Sequence, residues 1–157
     1  MKPEPPYIAL AVAHSFALKA HKQSRSLTQI AIKKLVYFAQ GWHLACLGTP
    51  LIDETLFPGT FGPEFETVEY ALRSYGGEFI PLDDPIWGHT PWIPTGDLRS
   101  IALIEKVWSE YGGFSDAQIG LAARDELWNL CRAKGWPEMP HDLVRDHFIA
   151  LKKEEKK

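Results

Sequence analysis

The chain has few of the residues that announce a chemistry. Cysteine occurs only twice in 157 residues, at Cys46 and Cys131. The two lie far apart, each inside an apolar helical pattern. This excludes a disulfide framework and argues against an oxidising compartment. Two buried free thiols are expected, because free Cys is among the most buried residue types. No stretch approaches the ~18 uncharged apolar residues of a membrane span. Residues 7–20 are apolar but broken by His14, Ser15 and Lys19, and no cleavage motif follows. A soluble, cytoplasmic protein is the expectation.

An excess of one charge is missing too. Seventeen Lys and Arg face twenty Asp and Glu, a formal net charge of −3. That is not the basic balance that binds nucleic acid or an anionic membrane. Lys19, Lys22, Lys33 and Lys34 form a modest basic cluster, read as a solvated helix face.

Catalytic and cofactor signatures are also lacking. The six histidines, His14, His21, His43, His89, His141 and His147, fit no His-x-x-x-His pattern, and the cysteines form no Cys-x-x-Cys pair. There is no Gly-x-Ser-x-Gly elbow. Gly76-Gly77 and Gly112-Gly113 are isolated helix stops, not a phosphate-cradling Gly-x-Gly-x-x-Gly. No catalytic residue, cofactor or metal ligand is assigned, and the chain is read as a non-enzyme.

What is present is a helical pattern on a scale that suits one domain. Residues 1–6 and 152–157 are expected as flexible ends of a single unit covering 1–157. The fold class is mainly α: a bundle of about six helices with a small two-stranded β element. A first helix spans 7–22, opened by Pro5 and Pro6. A second starts at Thr28, a good N-cap, and ends at Gly48. Ala31, Leu35, Phe38, Trp42 and Ala45 form its stripe, widened by Ile32, Val36 and Ala39. A helix apolar around most of its girth belongs at the centre of a fold. Residues 51–60 suggest one short strand. Phe61-Gly62-Pro63 reads as a turn, with Pro63 opening a third helix, Glu64 and Glu66 in its first turn, and Glu69 paired with Arg73. Phe79, Ile80 and Leu82 suggest a second strand. A fourth helix begins near Asp97. A fifth runs from the capping box Ser115-Asp116-Ala117-Gln118 to about Lys134, and a sixth begins at His141 or Asp142.

Residues 83–96 break every regular pattern through Pro85, Gly88, Pro91, Pro94 and Gly96. Trp87, His89 and Trp92 lie in this loop. Two roles stay open for it: cover for the core, or a partner contact, where a large rigid side chain fills a pocket. His43 and Gln40, at the margin of the second helix, are further candidate contacts, with Lys33 beside them. For His43 a core-edge imidazole bonded to a carbonyl stays open as well.

One segment carries a resemblance to a known family. The run Leu27-Thr28-Gln29-Ile30-Ala31-Ile32-Lys33-Lys34-Leu35-Val36-Tyr37-Phe38-Ala39-Gln40-Gly41-Trp42-His43-Leu44 resembles the opening of the SocA/Panacea domain, with its Lys-Leu-Leu-Tyr-x-Ala-Gln-Gly-x-x-Leu helix. Gly48-Thr49-Pro50-Leu51-Ile52-Asp53-Glu54 is similar to that family's Gly-x-Pro-Leu-Phe-Asp-Glu, and Thr60-Phe61-Gly62-Pro63 to its aromatic-Gly-Pro turn. Residues 140–148 resemble its terminal helix. The family's Leu-Thr-His segment followed by Pro-Trp has no full counterpart: Leu121-Ala122-Ala123 and Leu127-Trp128 keep only the Trp.

The resemblance, to SocA-like antitoxins and phage-associated GepA-like proteins, implies a protein that binds and neutralises a cognate toxin. It further implies an adaptor that delivers the toxin to a ClpXP-type protease. A phage or mobile-element host-interaction protein, an enzyme and a DNA-binding regulator are the alternatives. The expected partner is a protein toxin, with no membrane and no nucleic acid.

Overall fold

A computed structural model describes residues 2–155. In chain order it contains α1 (Ala9–Lys22), β1 (Leu27–Thr28), α2 (Gln29–Leu47), β2 (Leu56–Gly59), β3 (Gly62–Phe65), α3 (Glu66–Leu72), β4 (Phe79–Ile80), α4 (Leu98–Tyr111), α5 (Asp116–Ala123), α6 (Glu126–Lys134) and α7 (His141–Glu155). The protein is mainly α-helical with a small β component, as its patterning indicates. No helix among the described residues is long and apolar enough to cross a membrane.

The axis of the fold is α2. Thr28 Oγ1 accepts from the Ala31 N–H at 3.2 Å and starts the helix. Gly48, at φ +77°, stops it in a left-handed conformation that side-chain-bearing residues rarely adopt. Between these ends Ile32, Leu35, Val36, Tyr37, Phe38, Ala39 and Trp42 are all buried. Helices α1, α4, α5 and α7 pack around them.

One crossing is very close. A Cβ at Gly41 would lie 2.2–2.4 Å from the ring of Phe148 on α7. The missing side chain is what lets that ring sit against the α2 backbone. Phe148 then meets Trp42 edge-on at 5.1 Å, while Phe38 stacks on Tyr111 of α4 at 3.9 Å. Both cysteines are free thiols; Cys131 is buried and Cys46 half-buried.

Six local expectations need correction. The single helix over 115–134 is two helices, so the bundle has seven among the described residues. Arg124 leaves helical geometry at φ −80°, ψ 64°, and Asp125 caps α6 by accepting from the Trp128 N–H at 2.9 Å. The break lets the same carboxylate accept from the Tyr37 hydroxyl at 2.6 Å, a buried donor that would otherwise be unpaired.

The β content is two two-stranded sheets. Strand β2 pairs antiparallel with β3, and β4 with β1, which precedes α2. Pro63 does not open a helix: it stands in β3 opposite Pro58. A pair of facing prolines suits a ladder position that needs no N–H from either residue. Glu64 is therefore in a strand, and α3 begins at Glu66.

Glu69 pairs with Lys33 of α2 at 2.5 Å rather than with Arg73, whose guanidinium lies over the Tyr70 ring instead. The first helix starts at Ala9, after the prolines, and a distant carboxylate caps it: Glu54 accepts from the Ala9 N–H at 2.6 Å. At the other end, residues 152–155 continue α7. Met1, Lys156 and Lys157 lie outside the described residues.

Candidate functional site

The loop 83–96 is fastened to α1 by side chains from both partners. Asp84 accepts from the Ile86 N–H at 3.0 Å and opens a 3-10 turn at Pro85–Trp87. Trp87 turns inward, is 4% exposed, and stacks on the His14 ring. His14 Nδ1 donates to the Thr90 carbonyl at 2.7 Å, with Pro91 O at 3.2 Å. Next in the helix, Ser15 Oγ accepts from the Ile93 N–H at 3.0 Å and donates to Ala11 O at 2.9 Å. A loop rich in proline thus has its free backbone groups met by two polar residues of a helix.

The loop's two tryptophans divide the roles left open for it. Trp87 covers the core. Trp92 is 53% exposed and meets His14 edge-on at 5.5 Å. Beside it runs a groove of about 360 Å³ lined by Leu18, Ile93, Ile101 and Ile104, with Lys19, Lys22 and Glu105 at the edge. Lys19 and Glu105 form an ion pair across it. His89 is exposed near the tip.

The two α2 candidates are not at an exposed margin. Gln40 is fully buried. Its Oε1 accepts from the N–H groups of Leu51 and Ile52 at 3.0 and 2.9 Å, and its Nε2 donates to Ile52 O at 3.0 Å. It fixes the chain after Gly48 and presents no surface. His43 is 1% exposed. Its Nδ1 lies 2.5 Å from Thr49 O, so that nitrogen carries the proton and donates. Desolvation by burial lowers the imidazole's pKa, partly opposed by that bond. His43 is the carbonyl-bonded core-edge imidazole. Its Nε2 has no partner among the described residues, and it borders a cavity of about 580 Å³ with Pro6, Leu47, Thr49 and Arg99.

Lys33 is half-buried, in the ion pair with Glu69, and it edges a second cleft that sequence reasoning missed. The cleft, about 560 Å³, is walled by α2, the β2–β3 hairpin and α5, with Lys34, Phe61, Arg73, Asp116 and Arg124 among its lining. Lys34 is only 3% exposed and makes no hydrogen bond or ion pair among the described residues. Desolvation, reinforced by the Lys33 charge, brings its ammonium down to about 8.

The burial of Lys34 was legible from spacing. It stands three residues after Ala31 and four before Phe38, both on the apolar stripe. The rule that charged runs are solvated concealed it. Among the described residues, no three His, Cys, Asp or Glu side chains come together as a metal-holding set.

Comparison with protein-family models, curated proteins and solved structures gave no match.

Proposed function

We propose that this chain is an antitoxin-like protein that binds and neutralises a cognate protein toxin in the cytoplasm and acts as an adaptor to a ClpXP-type protease. The observation that carries the binding part is Trp92. A large aromatic ring stands half out of the surface, held by the bonds from His14 and Ser15 to its loop, over an apolar groove with a mixed-charge edge. A rigid exposed Trp beside a pocket is the usual anatomy of a binding hot spot, and little conformational entropy is lost when it docks. The toxin as partner rests on the likeness of residues 27–44, 48–54 and 60–63 to the SocA/Panacea pattern.

Co-expression with the product of the neighbouring reading frame tests it. That product is expected to arrest growth alone and to be harmless with the wild-type chain, and Trp92→Ala is expected to restore toxicity while remaining folded. A harmless neighbour, or full neutralisation by Trp92→Ala, defeats this assignment. The adaptor role separates cleanly: toxin levels should rise when ClpXP-type activity is removed, and an unchanged toxin half-life leaves neutralisation by blocking alone.

A further inference from the structure

We propose that the cleft between α2, the β2–β3 hairpin and α5 binds the oxyanion, phosphate or carboxylate, of a small ligand that carries a flat apolar body.

The Lys34 ammonium has no ion-pair partner among the described residues. Lys34 is 3% exposed and unpaired among the described residues. Its Nζ is not among the fully buried unbonded atoms, so it reaches the cleft, and a charge held mostly out of water is disfavoured until an opposite charge or strong acceptors meet it. The fold keeps room for this ammonium. A Cβ at Gly62 would fall 2.5 Å from Lys34 Nζ and 3.7 Å from Arg124 Cγ. The ammonium and the Arg124 stem therefore converge over a bare glycine, and both residues line the cleft.

The carboxylates around them, Glu64 and Glu69 among them, offset the pair only in part. Lys33 on α2 is matched by Glu69 on α3. Asp116 on α5 accepts from the Thr28 hydroxyl at 2.8 Å and keeps its negative charge, so the lining sets four cations, Lys33, Lys34, Arg73 and Arg124, against two carboxylates, Glu69 and Asp116. Arg73, after α3, lies over Tyr70. Glu64 on β3 faces Lys34 but forms no ion pair with it. Arg124 has one long contact among the described residues, 3.5 Å from Nη1 to Phe61 O. Two adjacent cations, a point charge and a planar fork, remain for a ligand. That combination suits phosphate or carboxylate.

The rest of the cleft describes the carrier. Phe61, at the hairpin tip, is 76% exposed, and Ile30 on α2 is 37% exposed; both line the same space. An exposed ring beside an anion site is a stacking platform for a flat group. The volume, about 560 Å³, falls in the range of small-molecule sites.

Isothermal titration at low salt, with adenosine monophosphate, benzoate, inorganic phosphate and adenosine as probes, tests this. At least one of the first two is expected to bind at pH 7. Monophosphate alone identifies a phosphate ligand, and benzoate alone a carboxylate. Arg124→Gln and Lys34→Met are each expected to weaken binding roughly tenfold or more. Phe61→Ala should weaken the aromatic probes and spare inorganic phosphate. Affinity should fall between pH 7 and 9.5 as Lys34 loses its proton, since Arg73 and Arg124 stay charged there. Should Lys34→Met not fold, Arg124→Gln, at a half-buried position, decides alone. No heat from any anion at roughly 10 mM, adenosine binding as tightly as its monophosphate, or undiminished binding in Arg124→Gln overturns the proposal. Trp92→Ala should leave all of these values unchanged, which separates this site from the proposed toxin surface.

Discussion

His14 and Trp87 stack nearly parallel, ring centroids 5.0 Å apart and planes 22° apart, and this contact joins the first helix to the loop 83–96. The same imidazole meets Trp92 edge-on on the other side. One histidine thus sits between a tryptophan of the core and a tryptophan of the surface, and the two should respond differently to removal. Trp87→Ala opens a large cavity and is expected to cost about 3–5 kcal/mol. Trp92→Ala should change stability by less than ~1 kcal/mol. Urea unfolding of both variants checks this, and equal losses would contradict the division.

Gln40 replaces regular secondary structure where the chain turns back along α2. Gln40→Met keeps the volume and removes three hydrogen bonds, leaving the N–H groups of Leu51 and Ile52 and the Ile52 carbonyl bare. Each group left unsatisfied costs roughly 1–3 kcal/mol. The expected outcome is a large loss of stability with faster amide hydrogen exchange at Leu51 and Ile52. Protection that survives at these amides would show that water or a local shift replaces the side chain.

Gly41 and Phe148 fit only together. Gly41→Ala drives a methyl into the Phe148 ring, and overpacking of this kind costs typically about 1–3 kcal/mol. Phe148→Leu should recover part of that loss in the double variant, although alone it is destabilising. A double-mutant cycle checks it: coupling of at least ~0.5 kcal/mol is expected between residues in contact, and simple additivity would contradict the packing.

Lys34 gives stability a pH dependence of definite sign. Its folded pKa is about 8 against 10.5 unfolded, so between these values the unfolded chain binds more protons and stability rises with pH. The favourable contribution is complete above about pH 10.5 and is lost as pH falls through about 8. The gap corresponds to roughly 3 kcal/mol. Lys34→Met should be more stable than wild type at pH 7 and flatter from pH 8 to 10. A wild-type slope in that range that persists in the variant would assign it to other groups.

The central helix, its Thr28 and Gly48 boundaries, the capping box at Ser115 and the helix end at Lys134 were all legible, because each depends on residues adjacent in the chain. The corrected features depend on partners far away. The 115–134 helix breaks so that Asp125 can reach Tyr37, 88 positions earlier. Residues 63–65 extend because Leu56, Phe57 and Pro58 pair with them. Of the candidate contacts, Trp92 and His89 are on the surface as a loop reading allows, whereas Trp87, Gln40 and His43 are drawn inside by His14 and by the backbone at 49–52. Spacing alone does not register such polar anchors.

The position of α2 has a consequence for synthesis. This helix is apolar on nearly every side, and three of the helices that shield it, α4, α5 and α7, follow it in the chain. On the ribosome it therefore emerges with only α1 as company, exposing Leu35, Phe38 and Trp42 until the C-terminal half has been made. Such exposed surface invites chaperone capture or aggregation. Translation that halts before α7 leaves Trp42 and Gly41 without Phe148, and that truncated product is a natural target for quality control.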